Sequence, residues 1–195
     1  MTKNFKEQKA NQKNAFTLIE MLVAASVFSL IVSAITGIFG LGLGSQRYVL
    51  SSGVLLDETS YSLEYISRAL RMARKDRAGV CVSPPGPFST STQRDIGGYS
   101  YSGLGIKFLR YDNVCQEFFL DESDARLKEN KDGYMEPIPL TSNKLRISSF
   151  KCEIFQGETV QPRATISLEI EGGSSGRYQP EIKIQTTVSQ RNLNL

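Results

Sequence analysis

The feature that most limits this chain is an uncharged run from Met21 to Gly44, MLVAASVFSLIVSAITGIFGLGLG, which is 24 residues long. About 20 apolar residues, at roughly 1.5 Å rise per residue, cross the hydrocarbon core of a bilayer as a helix. The run therefore predicts one membrane-spanning helix. A secretory signal peptide has an apolar core of about 7–15 residues and a small-residue cleavage site after it. Here the stretch is longer, and no such site follows Gly44. A simple signal anchor is the alternative.

The formal net charge of +3 is local. Lys3, Lys6, Lys9 and Lys13 stand against Glu7 in residues 1–15, and the remaining 19 basic and 19 acidic residues balance. Lysines just before an apolar run hold that end in the cytoplasm. The length of 195 residues corresponds to about one domain. Hydrophobic residues at 40% and charged residues at 22% exclude a disordered tail and a multi-span membrane protein. The chain has no histidine, which excludes His-based triads, most zinc sites and haem ligation. Tryptophan is absent too, and the charge balance gives no nucleic-acid footprint.

The apolar stretch begins at Ala15, and a single carboxylate interrupts it: Ala15-Phe16-Thr17-Leu18-Ile19-Glu20-Met21. Ionisable groups in a membrane segment are expensive and mark function, so Glu20 needs a partner. These residues resemble the N-terminal signature of the type IV pilin superfamily: pilins, minor pilins and the pseudopilins of type II secretion. The likeness covers residues 9–44 and departs from the family at Ala15, where glycine is usual. It implies cleavage by a prepilin peptidase between Ala15 and Phe16, then N-methylation of the Phe16 amine. It implies also that Glu20, fifth residue of the processed chain, pairs with the Phe16 amine of a neighbouring subunit. A carboxylate at low dielectric requires such a counter-charge, and the pair would set the register of packed helices. Gly37 stands where major pilins commonly carry proline. With Gly40, Gly42 and Gly44 it makes a segment that bends or loosens easily, each interior glycine weakening a helix by roughly 1 kcal/mol. Gly40 and Gly44 form a weak Gly-x-x-x-Gly signal for close helix contact.

Beyond the membrane run, Leu56, Thr59, Leu63, Ile66, Leu70 and Ala73 recur at steps of three and four. This predicts an amphipathic helix from Gln46 to about Arg77, stopping at Gly79. Glu64 and Arg68 form an i,i+4 pair on its other face. Arg68, Arg71, Arg74, Lys75 and Arg77 make a basic cluster that could meet DNA phosphates. No aromatic residues interleave with these charges and Asp76 sits among them, so a solvated helix end is the better reading. Val80 to Leu104, with Pro84, Pro85 and Pro87, reads as a connecting loop and a site for partner contact.

Strand signals fill the rest. Gly105–Tyr111 and Val114–Leu120 flank the tight turn Asp112-Asn113; Leu127–Glu129 extends the meander toward a turn at Asp132-Gly133. Lys144–Phe155, Arg163–Glu171 and Glu181–Gln190 alternate apolar and polar residues, with Gly172–Gly176 as a turn between the last two. The expected fold is α+β and pilin-like: a long N-terminal helix packed on a C-terminal antiparallel sheet. Its divisions are a leader 1–15, a filament-core helix 16–44, an amphipathic helix half 45–79, an αβ-loop 80–104 and a sheet domain 105–195.

Cys81, Cys115 and Cys152 lie in the part expected outside the cytoplasm, where disulfides persist. Three thiols allow at most one internal bridge. Cys152 occupies an apolar-face strand position, so Cys81–Cys115 is the expected pair, although spacing leaves the other pairings open. Asp121, Glu122, Asp124 and Asp132 offer oxygen ligands suited to calcium, but they match no known cage and read as solvated carboxylates. No metal or cofactor is expected, and no motif of catalysis is present. The chain reads as a structural subunit of a type IV pilus or type II secretion-like filament, not an enzyme. Expected partners are prepilin peptidase, other pilins or pseudopilins and, indirectly, an assembly platform and motor ATPase. The expected location is the inner membrane, single-pass, with the C-terminal domain outside the cytoplasm, and then a filament. The alternatives are a DNA-uptake minor pilin and a stand-alone membrane-anchored envelope domain.

Overall fold

The structure, a computed structural model, describes residues 16–156, 160–172 and 179–191. The leader, including its lysines and Ala15, lies outside the described residues, as does most of the expected turn Gly172–Gly176. Among the described residues one helix, α1 (Leu18–Arg71), precedes eight strands. These are β1 (Phe88–Ile96), β2 (Tyr99–Leu109), β3 (Cys115–Asp121), β4 (Arg126–Lys131), β5 (Ile138–Pro139), β6 (Leu145–Phe155), β7 (Arg163–Gly172) and β8 (Glu181–Ser189). The organisation is α+β, with antiparallel sheets. Two compact units divide the chain, Met1–Ser45 and Gln46–Leu195, with the boundary inside α1.

In the second unit the strands form two antiparallel sheets rather than one, ordered β1-β2-β3-β4-β5 and β6-β7-β8. The ladder stops at β5, whose two residues pair with Lys128 and Glu129. Pro137 and Pro139 flank Ile138 there, and proline has no N–H to extend a ladder.

The helix stripe joins the sheets. Leu55, Leu63, Ile66, Leu70 and Ala73 share one buried cluster with Phe88, Ile106, Phe108, Phe118 and Leu127 of the first sheet and Phe150, Ile166, Leu168 and Ile170 of the second. Phe118 contacts both Tyr65, edge-on at 5.9 Å, and Phe108 at 5.7 Å. The stripe starts at Leu55, not Leu56: Leu55 is 1% exposed and Leu56 is 46% exposed. A step of four from Leu55 leads to Thr59, whose hydroxyl donates to the Leu55 carbonyl at 2.6 Å and so tolerates burial.

The helix ends at Arg71, six residues before the expected Arg77, because the sheet claims the following backbone. Arg74 N–H donates to the Leu109 carbonyl at 2.8 Å and Asp76 N–H to the Gly86 carbonyl at 2.9 Å. The helix-end carbonyls find partners from the far end of the chain. Arg191 N–H donates to the Arg71 carbonyl at 3.0 Å, and the Gln190 amide to the Ala73 carbonyl at 2.7 Å. Asp76 then organises the turn. One carboxylate oxygen accepts from Ala78 N–H and Gly79 N–H, the other from Cys81 N–H and Val82 N–H. Those backbone bonds, the Val82 one foremost, hold its carboxyl below the usual carboxylate range against the opposing effect of burial.

The segment read as a loop over 80–104 carries β1 and the first half of β2. The ladder between them shifts register between Ser91 and Gln93. The outer half of this hairpin covers the face of β3 opposite the helix. That face holds Glu117, Phe119 and Asp121, all buried. Arg94 donates from Nε to Glu117 at 2.9 Å, and its guanidinium lies 4.1 Å over the Phe119 ring. Tyr101 meets Phe119 edge-on at 5.8 Å. At the hairpin tip a Cβ on Gly97 would stand 2.1 Å from the Met135 carbonyl oxygen, so only glycine lets the tip reach the loop after β4. The covering residues are polar or aromatic, with few aliphatics, which is why the alternation signal is weak in this stretch.

Two expected outcomes follow. Asp76→Ala orphans four backbone donors and should destabilise the full chain in detergent by roughly 2–4 kcal/mol at neutral pH. Because the folded carboxyl is depressed, this contribution is complete above the unfolded value near 3.9 and is lost as pH falls through the folded value. Denaturant titrations of wild type and variant should therefore converge in acid. At Gly105 a Cβ would lie 2.8 Å from Arg94 Nη2, Glu117 Oε1 and Phe119 Cβ. Gly105→Ala should then lower stability by about 1–3 kcal/mol, measured in the same way.

Candidate functional site

The helix start is built by the four residues Thr17-Leu18-Ile19-Glu20. Thr17 precedes the first helical residue, Leu18, and Glu20 is the third residue of the helix. The Thr17 hydroxyl and Thr17 N–H both donate to Glu20 Oε2, at 2.8 and 2.9 Å. Glu20 N–H returns a bond to the Thr17 hydroxyl at 3.3 Å. This is a reciprocal capping box: each side chain satisfies the other residue's free backbone donor. The carboxylate also suits the positive end of the helix dipole. Phe16 is 79% exposed just before the cap. Ala15, on the other side of the expected cleaved bond, lies outside the described residues.

Sequence reasoning found Glu20 but missed Thr17. The signal was present, since Thr-x-x-Glu ahead of an apolar run is a helix-start pattern.

From Phe16 to Leu43 every residue is exposed. This stretch of α1 is long and apolar enough to cross a membrane, with a mean hydropathy of 2.3 in its most apolar window. Its hydroxyls are satisfied within the helix. Ser26 donates to the Val23 carbonyl, Ser29 to Ala25, Ser33 to Ser29 and Thr36 to Val32, each at 2.8 Å. Such back-bonding lets polar side chains enter lipid without unpaired donors. The helix continues through Gly37, Gly40, Gly42 and Gly44 without a break. A Cβ at Gly37, Gly40 or Gly42 would meet nothing within 4 Å, so packing within the chain does not require glycine there.

Cys81 and Cys115 form a disulfide, with Cα atoms 5.5 Å apart and a sequence separation of 34. With Val82 and Leu109 they make a small apolar cluster separate from the main core. Cys152 is a free thiol, pushed up to about 12 by burial and, secondarily, by the Glu153 carboxylate.

The carboxylates weighed as calcium ligands are engaged by protein groups. Asp121 and Asp124 both pair with Lys128, and Glu122 accepts from Ser102. Asp132 accepts from Cys115 N–H. Burial opposes the charge on Asp121, but bonds from Lys128 and Ser123 outweigh it and hold its carboxyl below the usual range. Among the described residues no group of three or more His, Cys, Asp or Glu could hold a metal. The basic cluster is dispersed: Arg68 pairs with Glu64 at 2.6 Å, and Arg74 bonds the Asn113 side chain at 3.1 Å.

Residues 10–44 match the family model of the prokaryotic N-terminal methylation motif. The motif and the long apolar helix are consistent with a type IV pilin-like protein. They support processing by prepilin peptidase, assembly with other pilins and single-pass anchoring in a membrane, and they point to a structural subunit. No curated protein and no solved structure matches the chain.

Thr17→Val removes the hydroxyl half of the cap. Loss of such a cap is worth about 1 kcal/mol, so the Glu20 amide should exchange its hydrogen roughly fivefold faster in micelles, read by NMR.

Proposed function

We propose that this chain is a minor pilin or pseudopilin, assembled from the inner membrane into a type IV pilus or type II secretion-like filament. The observation that carries the reading is the capped carboxylate at the start of an apolar stretch that is exposed from Phe16 to Leu43. Both bonds from Thr17 go to Glu20 Oε2, so among the described residues Oε1 keeps room for a donor from another chain. Cleavage between Ala15 and Phe16 would create that donor, the N-methylated amine of Phe16. A neighbour's amine pairing with Glu20 would neutralise a charge that lipid and packed helices disfavour, and would fix axial register. Gly37, Gly40, Gly42 and Gly44 are the segment where the helix loosens as subunits pack.

Several features support the membrane orientation. The lysines before the span favour a cytoplasmic leader. The disulfide favours a second unit outside the cytoplasm, where thiols oxidise. The action of the protein is assembly, driven by a platform protein and motor ATPase on the cytoplasmic side.

Co-expression with a prepilin peptidase should shorten the chain by its 15-residue leader, seen by gel and N-terminal sequencing. Glu20→Ala should still be processed but should fail to enter sheared filaments. Retention of the leader would remove this reading in favour of a stand-alone anchored domain, and normal assembly of Glu20→Ala would remove the pairing role of Glu20.

A further inference from the structure

Among the described residues the three-stranded sheet has an open edge at β8. Its order is β6-β7-β8, so β6 and β8 are the outer strands. On the β6 side, Ile147 N–H donates at 2.9 Å to the Ala125 carbonyl, in the turn between β3 and β4. The edges of the five-stranded sheet are blunted. β1 shifts register between Ser91 and Gln93, and β5 is two residues long and contains Pro139. Bulges, short strands and proline are devices that stop a sheet from adding a further strand. β8 has none of them: it runs nine residues, Glu181–Ser189, in unbroken register with β7 and without proline. Lys183, a charge that could guard the edge, is drawn back by Glu169 and Glu181, each at 3.3 Å.

The two ends of the β7–β8 ladder fix which backbone groups point outward. Gly172 N–H donates to the Pro180 carbonyl and Gln190 N–H to the Pro162 carbonyl, both at 3.0 Å. Bonded positions alternate along an antiparallel pair. The even-numbered residues of β8 therefore bond to β7. Glu181, Lys183, Gln185, Thr187 and Ser189 turn their N–H and C=O groups away from it. Their side chains are exposed. Ile182 and Ile184, on the core face, are only half-buried, so the apolar face reaches this edge without being fully covered.

These groups define the occupant. Outward donors and acceptors at every second residue are matched by another extended backbone. Half-buried isoleucines beside that backbone favour β-branched or aliphatic side chains at its alternate positions, with polar residues between. A second copy fits poorly. Two β8 edges meet antiparallel about an axis normal to the sheet, which reverses the helix packed on one copy relative to the other. Chains anchored in one membrane run the same way. They meet parallel about an axis along the strands, which sets the isoleucine face of one copy level with the polar face of the other. We propose that the open edge of β8 takes up an extended segment of another protein, alternating β-branched and polar residues, as a fourth strand of this sheet. Only the case against a second copy uses the membrane reading. The binding assay needs neither processing nor assembly, so its failure leaves the filament reading standing.

The test uses the full-length protein in non-ionic detergent with its disulfide intact. The probe is a fluorescein-labelled heptapeptide, Thr-Val-Gln-Ile-Thr-Val-Lys. One control has the same composition with its apolar residues made contiguous. Two more are N-methylated at alternate amides, one on each edge of the strand. Anisotropy should show the parent and one N-methylated form binding alike, and the other two peptides binding about tenfold or more weakly. Gln185→Pro removes an outward N–H and spares the bonds to β7, because proline is accepted where an edge N–H faces solvent. It should weaken binding by a similar factor with unchanged near-ultraviolet circular dichroism. Amide exchange read by NMR needs no variant. Bound peptide should slow the Lys183, Gln185 and Thr187 amides and leave those of Ile184 and Thr186 unchanged. The proposal is overturned if the parent peptide does not bind, or if the contiguous control binds equally. It is overturned too if both N-methylated forms bind alike, if folded Gln185→Pro binds like wild type, or if the slowed amides lie off β8. Should Gln185→Pro not fold, the exchange pattern decides. Self-association that protects the same three amides and resists the peptide would overturn it in favour of a second copy of this chain.

Discussion

The second unit is held together by one strip of helix surface. Ile66 and Leu70, with Ala73 just past the helix end, have no exposed area, and they reach residues of both sheets within a single apolar cluster. A sheet needs a second layer to bury its inner face against, and among the described residues α1 contributes to the one cluster that both sheets share. The three-stranded sheet contributes Phe150, Ile166, Leu168 and Ile170, the five-stranded sheet Phe108 and Phe118, and α1 lies among them as the shared partner. Burial of such side chains is worth about 1.5–3 kcal/mol each before the entropy of ordering is counted, so the strip dominates the cohesion of this unit. Polar additions such as Thr59 and Tyr65 are tolerated because each finds a bond at once, Thr59 with the Leu55 carbonyl and Tyr65 with Glu129.

The fold was legible where a period in the sequence coincides with one-sided burial. The helix stripe and strands β6, β7 and β8 show that alternation directly, whereas β3 is buried on both faces. The helix end was not legible. Residues 72–77 have good helical propensity, and only the pairing of Arg74 with Leu109 and Asp76 with Gly86 draws them out of the helix. The hairpin of β1 and β2 was also hidden. Its job is to cover Phe119 and Glu117 with Arg94 and Tyr101, and a cover made of charge and aromatic rings leaves no apolar period. The division into two sheets depends on prolines whose effect becomes clear only once Lys128 and Glu129 are seen to pair with β5.

At the helix start the balance is different. Glu20 stands out as a charge among apolar residues, but its present partner, Thr17, is a small hydroxyl residue of the kind common in loops. The capping box shows why threonine and glutamate sit three apart. One pair of side chains closes the helix end and holds an acid in place. The disulfide and the Asp76 turn work similarly beside β3. Asp76 gathers four backbone N–H groups ahead of the bridge, so Cys81 is held locally as well as by its bond to Cys115.

The ties from Gln190 and Arg191 to the end of α1 have a mechanical meaning. A pull along the helix does not pass only through the peptide bond into Met72. It divides, part going forward along the chain and part into the last strand through the hydrogen bonds to Arg71 and Ala73. From β8 the load spreads into β7 across a ladder of nine residue pairs. Strand β8 thus shares the load on the helix end, and cutting the chain short before Gln190 would leave that end to the apolar core and the peptide bond into Met72.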